Sequence, residues 1–174
     1  MVAGNRATFR GAGIYVSGSA PDLFHTTLVQ NGVSGEDASG LYAAEASSTE
    51  RAQPRLWNTI VMSQTVGMYA AGVDPKNIIT ADGVLWYGNG ENTGGAGTFF
   101  LSNEHSGNPL FEDLAGGDYH LTAGSAAIDQ GIVTSTIDDM DGELRFGVPD
   151  LGADEYCAEG TCHFVRVFLP MTMK

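Results

Sequence analysis

The sequence predicts an all-β solenoid of short strands and tight turns, and three observations carry that prediction. A Gly-apolar-Tyr signature recurs as Gly13-Ile14-Tyr15, Gly40-Leu41-Tyr42 and Gly67-Met68-Tyr69, at a constant spacing of 27 residues. A fixed period in the twenties marks an architecture whose units bury their apolar sides only by stacking on one another. The chain also holds 24 glycines in 174 residues. Without a collagen period, glycine at that level suits many turns joining short strands. Finally, the region from Gly117 to Tyr156 carries no helical periodicity.

In chain order, Gly13-Ile14-Tyr15-Val16 reads as a strand, followed by strand material over Pro21-Asp22-Leu23-Phe24-His25-Thr26-Thr27-Leu28-Val29. Gly40-Leu41-Tyr42-Ala43 and then Pro54-Arg55-Leu56-Trp57-Asn58-Thr59-Ile60-Val61-Met62 repeat the arrangement, including its Pro-x-Leu-x-x-Thr follow-on. Strand alternation points Ile14, Leu23, Leu28, Leu41, Leu56, Ile60 and Met68 inward. Thr26-Thr27 and Asn58-Thr59 are expected to satisfy one another between neighbouring units. Past Ala71 the repeat loosens. Asn77-Ile78-Ile79 and Val84-Leu85-Trp86-Tyr87 read as strands, and Gly88 to Gly97 as an outward loop unable to pack a core. Gly97-Thr98-Phe99-Phe100-Leu101 and Pro109-Leu110-Phe111 add further strand material.

The closing region runs GDYHLTAGSAAIDQGIVTSTIDDMDGELRFGVPDLGADEY. It resembles the last segment of right-handed parallel β-helix repeat proteins of bacterial and archaeal surfaces, of the choice-of-anchor Q domain type. Their pattern runs GDYHL, GSPAIDxG, DxDGxxR and DxGAxEY; Ala126 and Phe146 stand where that family often has proline. The likeness is strong over the last third of the chain and weaker before it. It implies an all-β, right-handed parallel β-helix (pectin-lyase-like) with rungs over residues 1–116. A closing segment or C-terminal cap follows over 117–156, then a Cys loop and C-terminal strand or tail over 157–174. An extracellular or cell-surface setting goes with it.

The formal net charge is −13, and residues 112–159 hold twelve of the 21 acids against Arg145 alone. Nucleic-acid binding requires the opposite sign, so that class is excluded. No apolar run is long enough to span a membrane. The first residues lack a secretory h-region, and the chain is expected to be a portion of a longer surface protein. A stack whose first rung is bare is also expected to self-associate through that N-terminal rung.

Several residues offer binding chemistry. Trp57, Trp86 and Tyr87 suit stacking on sugar rings, with half-buried ladder positions as the alternative. Asp139 and Asp141, in Asp138-Asp139-Met140-Asp141-Gly142-Glu143, place oxygen ligands at alternating positions before a glycine, as Ca²⁺ binding requires. The alternative is a plain Asp141-Gly142 turn, with Arg145 paired to Asp129 or Asp154. Cys157 and Cys162 fit a small-loop disulfide in an exported protein, or two thiols. The four histidines show no metal-ligand spacing, and His120 reads as a packing or hydrogen-bonded residue. The tail from His163 to Lys174 reads as a last strand, or as the stub of a surface-anchoring signal.

The sequence thus points to a non-catalytic surface module that binds a polysaccharide or another cell-surface ligand. One alternative is a polysaccharide lyase or glycoside hydrolase; another is a structural spacer. Bases for a lyase are scattered (Arg51, Arg55, Lys76, Arg145), and Asp74, Asp82 and Asp113 show no pairing pattern for a hydrolase.

Overall fold

The computed structural model describes residues 1–8, 10–32, 39–72 and 76–158. The strands are β1 (Val2–Ala3), β2 (Ile14–Ser17), β3 (Asp22–Phe24), β4 (Thr27–Val29), β5 (Ser39–Ala44) and β6 (Arg55–Met62). They continue with β7 (Val66–Ala70), β8 (Ile78–Tyr87), β9 (Glu91–Gly94), β10 (Thr98–Ser106), β11 (Phe111–Asp113) and β12 (Asp118–Leu121). Among the described residues there is no helix. The protein is all-β.

Two parallel sheets dominate. One has the order β1-β4-β6-β8-β10, with β3 also on β6; the other runs β2-β5-β7-β9. The chain alternates between them, adding to each sheet a strand beside the one laid down a pass earlier. Ile14, Leu41 and Met68 align across the four-stranded sheet, as do Tyr15, Tyr42 and Tyr69. The tyrosine rings stack at 5.5 and 4.9 Å, with interplanar angles of 7° and 9°. The 27-residue signature is therefore a physical column.

Glycine precedes each of these apolar positions because backbone occupies the space a side chain would take. A Cβ on Gly13 would strike the Gly40 carbonyl oxygen, one on Gly40 would lie 2.8 Å from that of Gly67, and one on Gly67 2.6 Å from that of Asn92. The same constraint explains a strand the sequence hides. Residues 88–97, expected as an outward loop, contain β9, which pairs with β7 through Val66↔Glu91, Met68↔Thr93 and Tyr69↔Gly94. Gly94 sits where a Cβ would come within 3.1 Å of the Tyr69 ring. This glycine-rich stretch has almost nothing apolar to bury, so alternation gives no strand signal, yet its backbone completes the ladder.

The core between the sheets takes Leu28, Leu56, Val61, Ala81, Val84 and Trp86 from one side and Val16, Leu41, Ala43, Met68 and Ala70 from the other. Fully burying each large aliphatic side chain contributes about 1.5–3 kcal/mol. Of the residues expected to face inward, Ile60 does not. It packs with Val29, Met62, Leu85, Leu121 and Leu151 in a second core on the opposite face of the six-stranded sheet. The cause is a corner. His25, Asn58, Gly83 and Asn103 all have left-handed backbone, at φ 46, 53, 73 and 47°. They are aligned, because they directly follow the matched residues Phe24, Trp57, Asp82 and Ser102. One left-handed residue per strand bends the sheet and resets its alternation, so Ile60 faces away from Leu56. The same kink, at Gly83, leaves β8 a single strand where two were expected.

A second column, Gly4, Gln30, Ser63 and Gly88 (φ 65, 50, 54 and 63°), ends these strands. Beyond it stands a row of amides. Asn5 N–H and Nδ2 donate to Asn31 Oδ1 (3.1 and 3.0 Å), and Asn31 Nδ2 donates to the Val2 carbonyl (2.8 Å). Gln64 N–H donates to Asn89 Oδ1 and Asn89 Nδ2 to the Val61 carbonyl, both at 2.9 Å. Stacked amides between passes are thus present, at this corner rather than at Thr26-Thr27 and Asn58-Thr59.

A methyl at Gly40 has nowhere to go, since Gln64 Cδ also lies 3.1 Å from its ideal position. Gly40→Ala is expected to destabilise by about 1–3 kcal/mol, the usual cost of overpacking. Urea denaturation checks this; an unchanged midpoint would remove the close-approach explanation of the column.

Candidate functional site

The closing segment was expected to cover the C-terminal end of the stack. Instead it lies lengthwise on the outer face of the six-stranded sheet, over the second core. The antiparallel β11–β12 hairpin starts it near β10, and the rest runs back across the strands. Ala126 N–H bonds the Asn108 carbonyl (3.0 Å), Gly152 N–H the Asn58 carbonyl (2.9 Å), and Ala153 N–H the Thr27 hydroxyl (2.9 Å). At the corner, the fully buried Asn58 takes Ile132 N–H on Oδ1 (2.8 Å) and gives Nδ2 to the Ile132 carbonyl (2.7 Å). His25 Nε2 lies 3.1 Å from Asn58 Nδ2 and 3.0 Å from Thr134 Oγ1. Burial, then the nearby Arg145 charge, lowers the His25 pKa to about 4, against a weaker opposite pull from the Asp150 and Gly152 carbonyls. His25 is a neutral structural residue.

Arg145 is the electrostatic centre of this segment. Its side chain is 4 % exposed and pairs with Glu155 at 3.2 Å, rather than with Asp129 or Asp154. It also donates to the backbone carbonyls of Asp138, Gly152, Ala153 and Asp154. Glu155 in turn accepts from Phe146 N–H (3.1 Å) and Asp150 N–H (2.9 Å). Asp150 accepts from Asp129 N–H and Tyr156 N–H, both at 2.7 Å, and burial pushes its carboxyl up to about 6. The Pro149–Tyr156 motif is a set of buried carboxylates folding the chain around one guanidinium.

The two residues of the expected Ca²⁺ loop have different partners. Asp139 Oδ1 accepts Asp141 N–H (2.9 Å) and Glu143 N–H (2.8 Å), and Oδ2 accepts Glu155 N–H (3.2 Å). Both of its oxygens build the turn. Asp141 reaches away, with Oδ2 2.6 Å from His120 Nε2. His120 Nδ1 bonds Asp118, and that bond, together with Asp141 and the Asp154 charge, raises the His120 pKa to about 9 against desolvation. Asp154 is buried and accepts Leu121 N–H at 2.7 Å; its burial lifts its carboxyl to about 7. Cys157 Sγ lies 3.0 Å from Glu143 Oε2, and Cys162 and the tail from His163 onward lie outside the described residues.

The aromatic candidates are spread out. Trp57 stands half-buried on the outward face of β6, its ring stacked on Phe24 at 4.7 Å and 12°. Arg55 lies over it, 5.7 Å from the ring centre, and forks onto Asp22 at 2.6 and 2.9 Å. Trp86 belongs to the inner core, 6 % exposed, its indole N–H on Glu104 (2.9 Å), so it has no face for a ligand. Tyr87 is exposed at the far end of β8, beside Met62. Phe24 was missed; its register opposite Trp57 is the signal that pairs them. Of the carboxylates considered for hydrolysis, Asp82 accepts from Asn103 Nδ2 (2.7 Å), Asp113 from Gly116 N–H (2.9 Å), and Asp74 lies outside the described residues.

Compared with protein-family models, curated proteins and solved structures, the chain matches none. No helix among the described residues is long and apolar enough to cross a membrane.

Two measurements follow. Arg145→Met leaves Glu155 buried without its cation and is expected to cost about 3–5 kcal/mol in urea denaturation; a loss below 1 kcal/mol would contradict the central role of the guanidinium. For Asp154, the folded pKa of about 7 exceeds the ordinary 3.8. The folded chain therefore holds this proton more tightly than the unfolded one. Its stabilising contribution is full below about pH 4 and is lost as pH rises through 7. Asp154→Asn should flatten the fall in stability across that interval; identical slopes in both proteins would contradict the assignment.

Proposed function

We propose that the two parallel sheets are walls of a right-handed parallel β-helix of the surface-protein type that the closing segment resembles. In this reading the chain is a non-catalytic extracellular or cell-surface module that binds carbohydrate on the part of the six-stranded sheet's outward face left open ahead of the corner, around Phe24 and Trp57. The alternation between sheets, the one-pass register and the glycine and tyrosine columns support the architecture. The absence of spacing for a lyase base or a hydrolase pair supports a binding role over catalysis.

The observation that carries the binding reading is the Phe24–Trp57 stack. Phe24 is 39 % exposed beside the half-buried Trp57, and the Arg55–Asp22 fork borders them. A pyranose presents an apolar C–H face to an aromatic platform while its equatorial hydroxyls reach polar groups at the edge; the fork and the Asp82–Asn103 pair supply those groups. The net charge of −13 repels polyanions, so the ligand class is a neutral polysaccharide.

A glycan array, followed by affinity electrophoresis in the best neutral polysaccharide, tests this. Trp57→Ala should weaken retention about tenfold, equivalent to about 1.4 kcal/mol, and Phe24→Ala should weaken it less. Release of reducing ends or unsaturated products would favour a lyase or hydrolase. Failure of every glycan to bind would leave the spacer reading.

A further inference from the structure

The cleft beside the β11–β12 hairpin gathers donor atoms that the glycan face does not use. One ligand atom each from His120, Asp141 and Asp154 lies within 4.8 Å of the others. They line a cleft of about 460 Å³, with Glu143 and Cys157 on its rim. His120 and Asp141 are half-exposed and adjustable. Asp154 is different in kind: it is 5 % exposed, with a single backbone N–H on Oδ2, yet it lines the open cleft. A carboxyl withdrawn from water without a guanidinium or ammonium partner is neutralised either by a proton or by a cation standing before it.

We propose that this cleft binds one divalent transition-metal ion, Zn²⁺ by its donor set, through His120 Nε2 and the carboxylates of Asp141 and Asp154. Asp118 is the positioning residue. By holding the Nδ1–H of His120 it fixes the tautomer and leaves the Nε2 lone pair for the ion, as outer carboxylates do behind metal-bound imidazoles. An imidazole nitrogen among carboxylate oxygens suits zinc, whereas Ca²⁺ and Mg²⁺ favour oxygen ligands alone. The 2.6 Å contact between His120 Nε2 and Asp141 Oδ2 is the proton-bridged form of the same pair. Metal replaces that proton. Bonds of about 2.0–2.2 Å to each ligand then require the two atoms to separate by less than about 1 Å. The ion differs from the Ca²⁺ expected between Asp139 and Asp141, because Asp139 has given both oxygens to backbone N–H groups.

The test is a titration of the full chain with ZnCl₂, read by calorimetry and thermal melting, beside CaCl₂ and MgCl₂ at equal concentration. The expected result is one Zn²⁺ per chain and a Tm that climbs with zinc concentration, since the ion binds only the folded form. Ca²⁺ and Mg²⁺ should produce no shift. His120→Gln and Asp154→Asn should each weaken zinc binding at least about tenfold, and Asp118→Asn about tenfold. Asp141→Ala, on an exposed turn, provides a variant whose fold is not at risk. His105→Gln, on β10, should bind as the parent does, and so should Trp57→Ala, which separates this site from the glycan face. No zinc response, a response equal for Ca²⁺, or a response abolished by Cys157→Ser but kept by His120→Gln would each overturn the proposal.

Discussion

Two hydrogen bonds in opposite directions, between the Asn58 carboxamide and the backbone of Ile132, hold the closing segment to the sheet it covers. Much else depends on that pairing. Asn58 is wholly buried, so its amide must be satisfied there, and its left-handed backbone is what turns the side chain outward at the corner. The residue therefore links the bend in β6 to the path of a segment more than seventy positions later. Gly83, next in the same column, has to lack a side chain because the Asn58 Oδ1 atom would sit 2.7 Å from its Cβ. Gly131 is held in the same way, between Pro149 and Asn58. A single amide thus accounts for a corner, two glycines and the seating of the second core.

Electrostatics divide the closing segment into two unlike parts. At its buried end, one guanidinium organises Glu155 and four carbonyls, while Asp150 gathers backbone N–H groups around it. At its exposed end, His120 stands between Asp118 and Asp141 in contact with solvent. The first part is closed, with its acceptors matched to donors. The second is open on one side, and there the charge balance depends on what occupies the cleft. That contrast separates the stabilising acids from those able to take a ligand, although the sequence presents both as one acidic run.

Much of the architecture was legible in the chain. The Gly-apolar-Tyr period named a real column, and six of the seven residues read as inward pack in or against the core between the sheets. Ile60 escaped because one left-handed residue shifts alternation, and its local signal, an asparagine that tolerates such backbone, is weak beside the apolar pattern. β9 escaped because a strand held by backbone pairing and glycine clearance carries no apolar pattern. The site was less legible. Arg145 was recognised as a pairing residue, but its choice of Glu155 depends on a fold-back of the chain that spacing does not encode. His120, Asp141 and Asp154 meet only because β12 and two turns of the closing segment converge, and no motif spacing joins them.

The two columns of left-handed residues have a consequence for how such a chain changes length. His25 and Gln30, Asn58 and Ser63, and Gly83 and Gly88 bracket the same interval, four residues each time. That interval is a ruler that these three passes keep. The remainder of a pass is elastic: the register step from Leu28 to Val61 differs from that between Ile60 and Leu85, and again from that between Leu85 and His105. Insertions and deletions are absorbed outside the ruler, where the backbone returns through the other sheet. A descendant of this chain can lengthen its loops freely while the short wall between the corners, and the closing segment laid upon it, stays in frame.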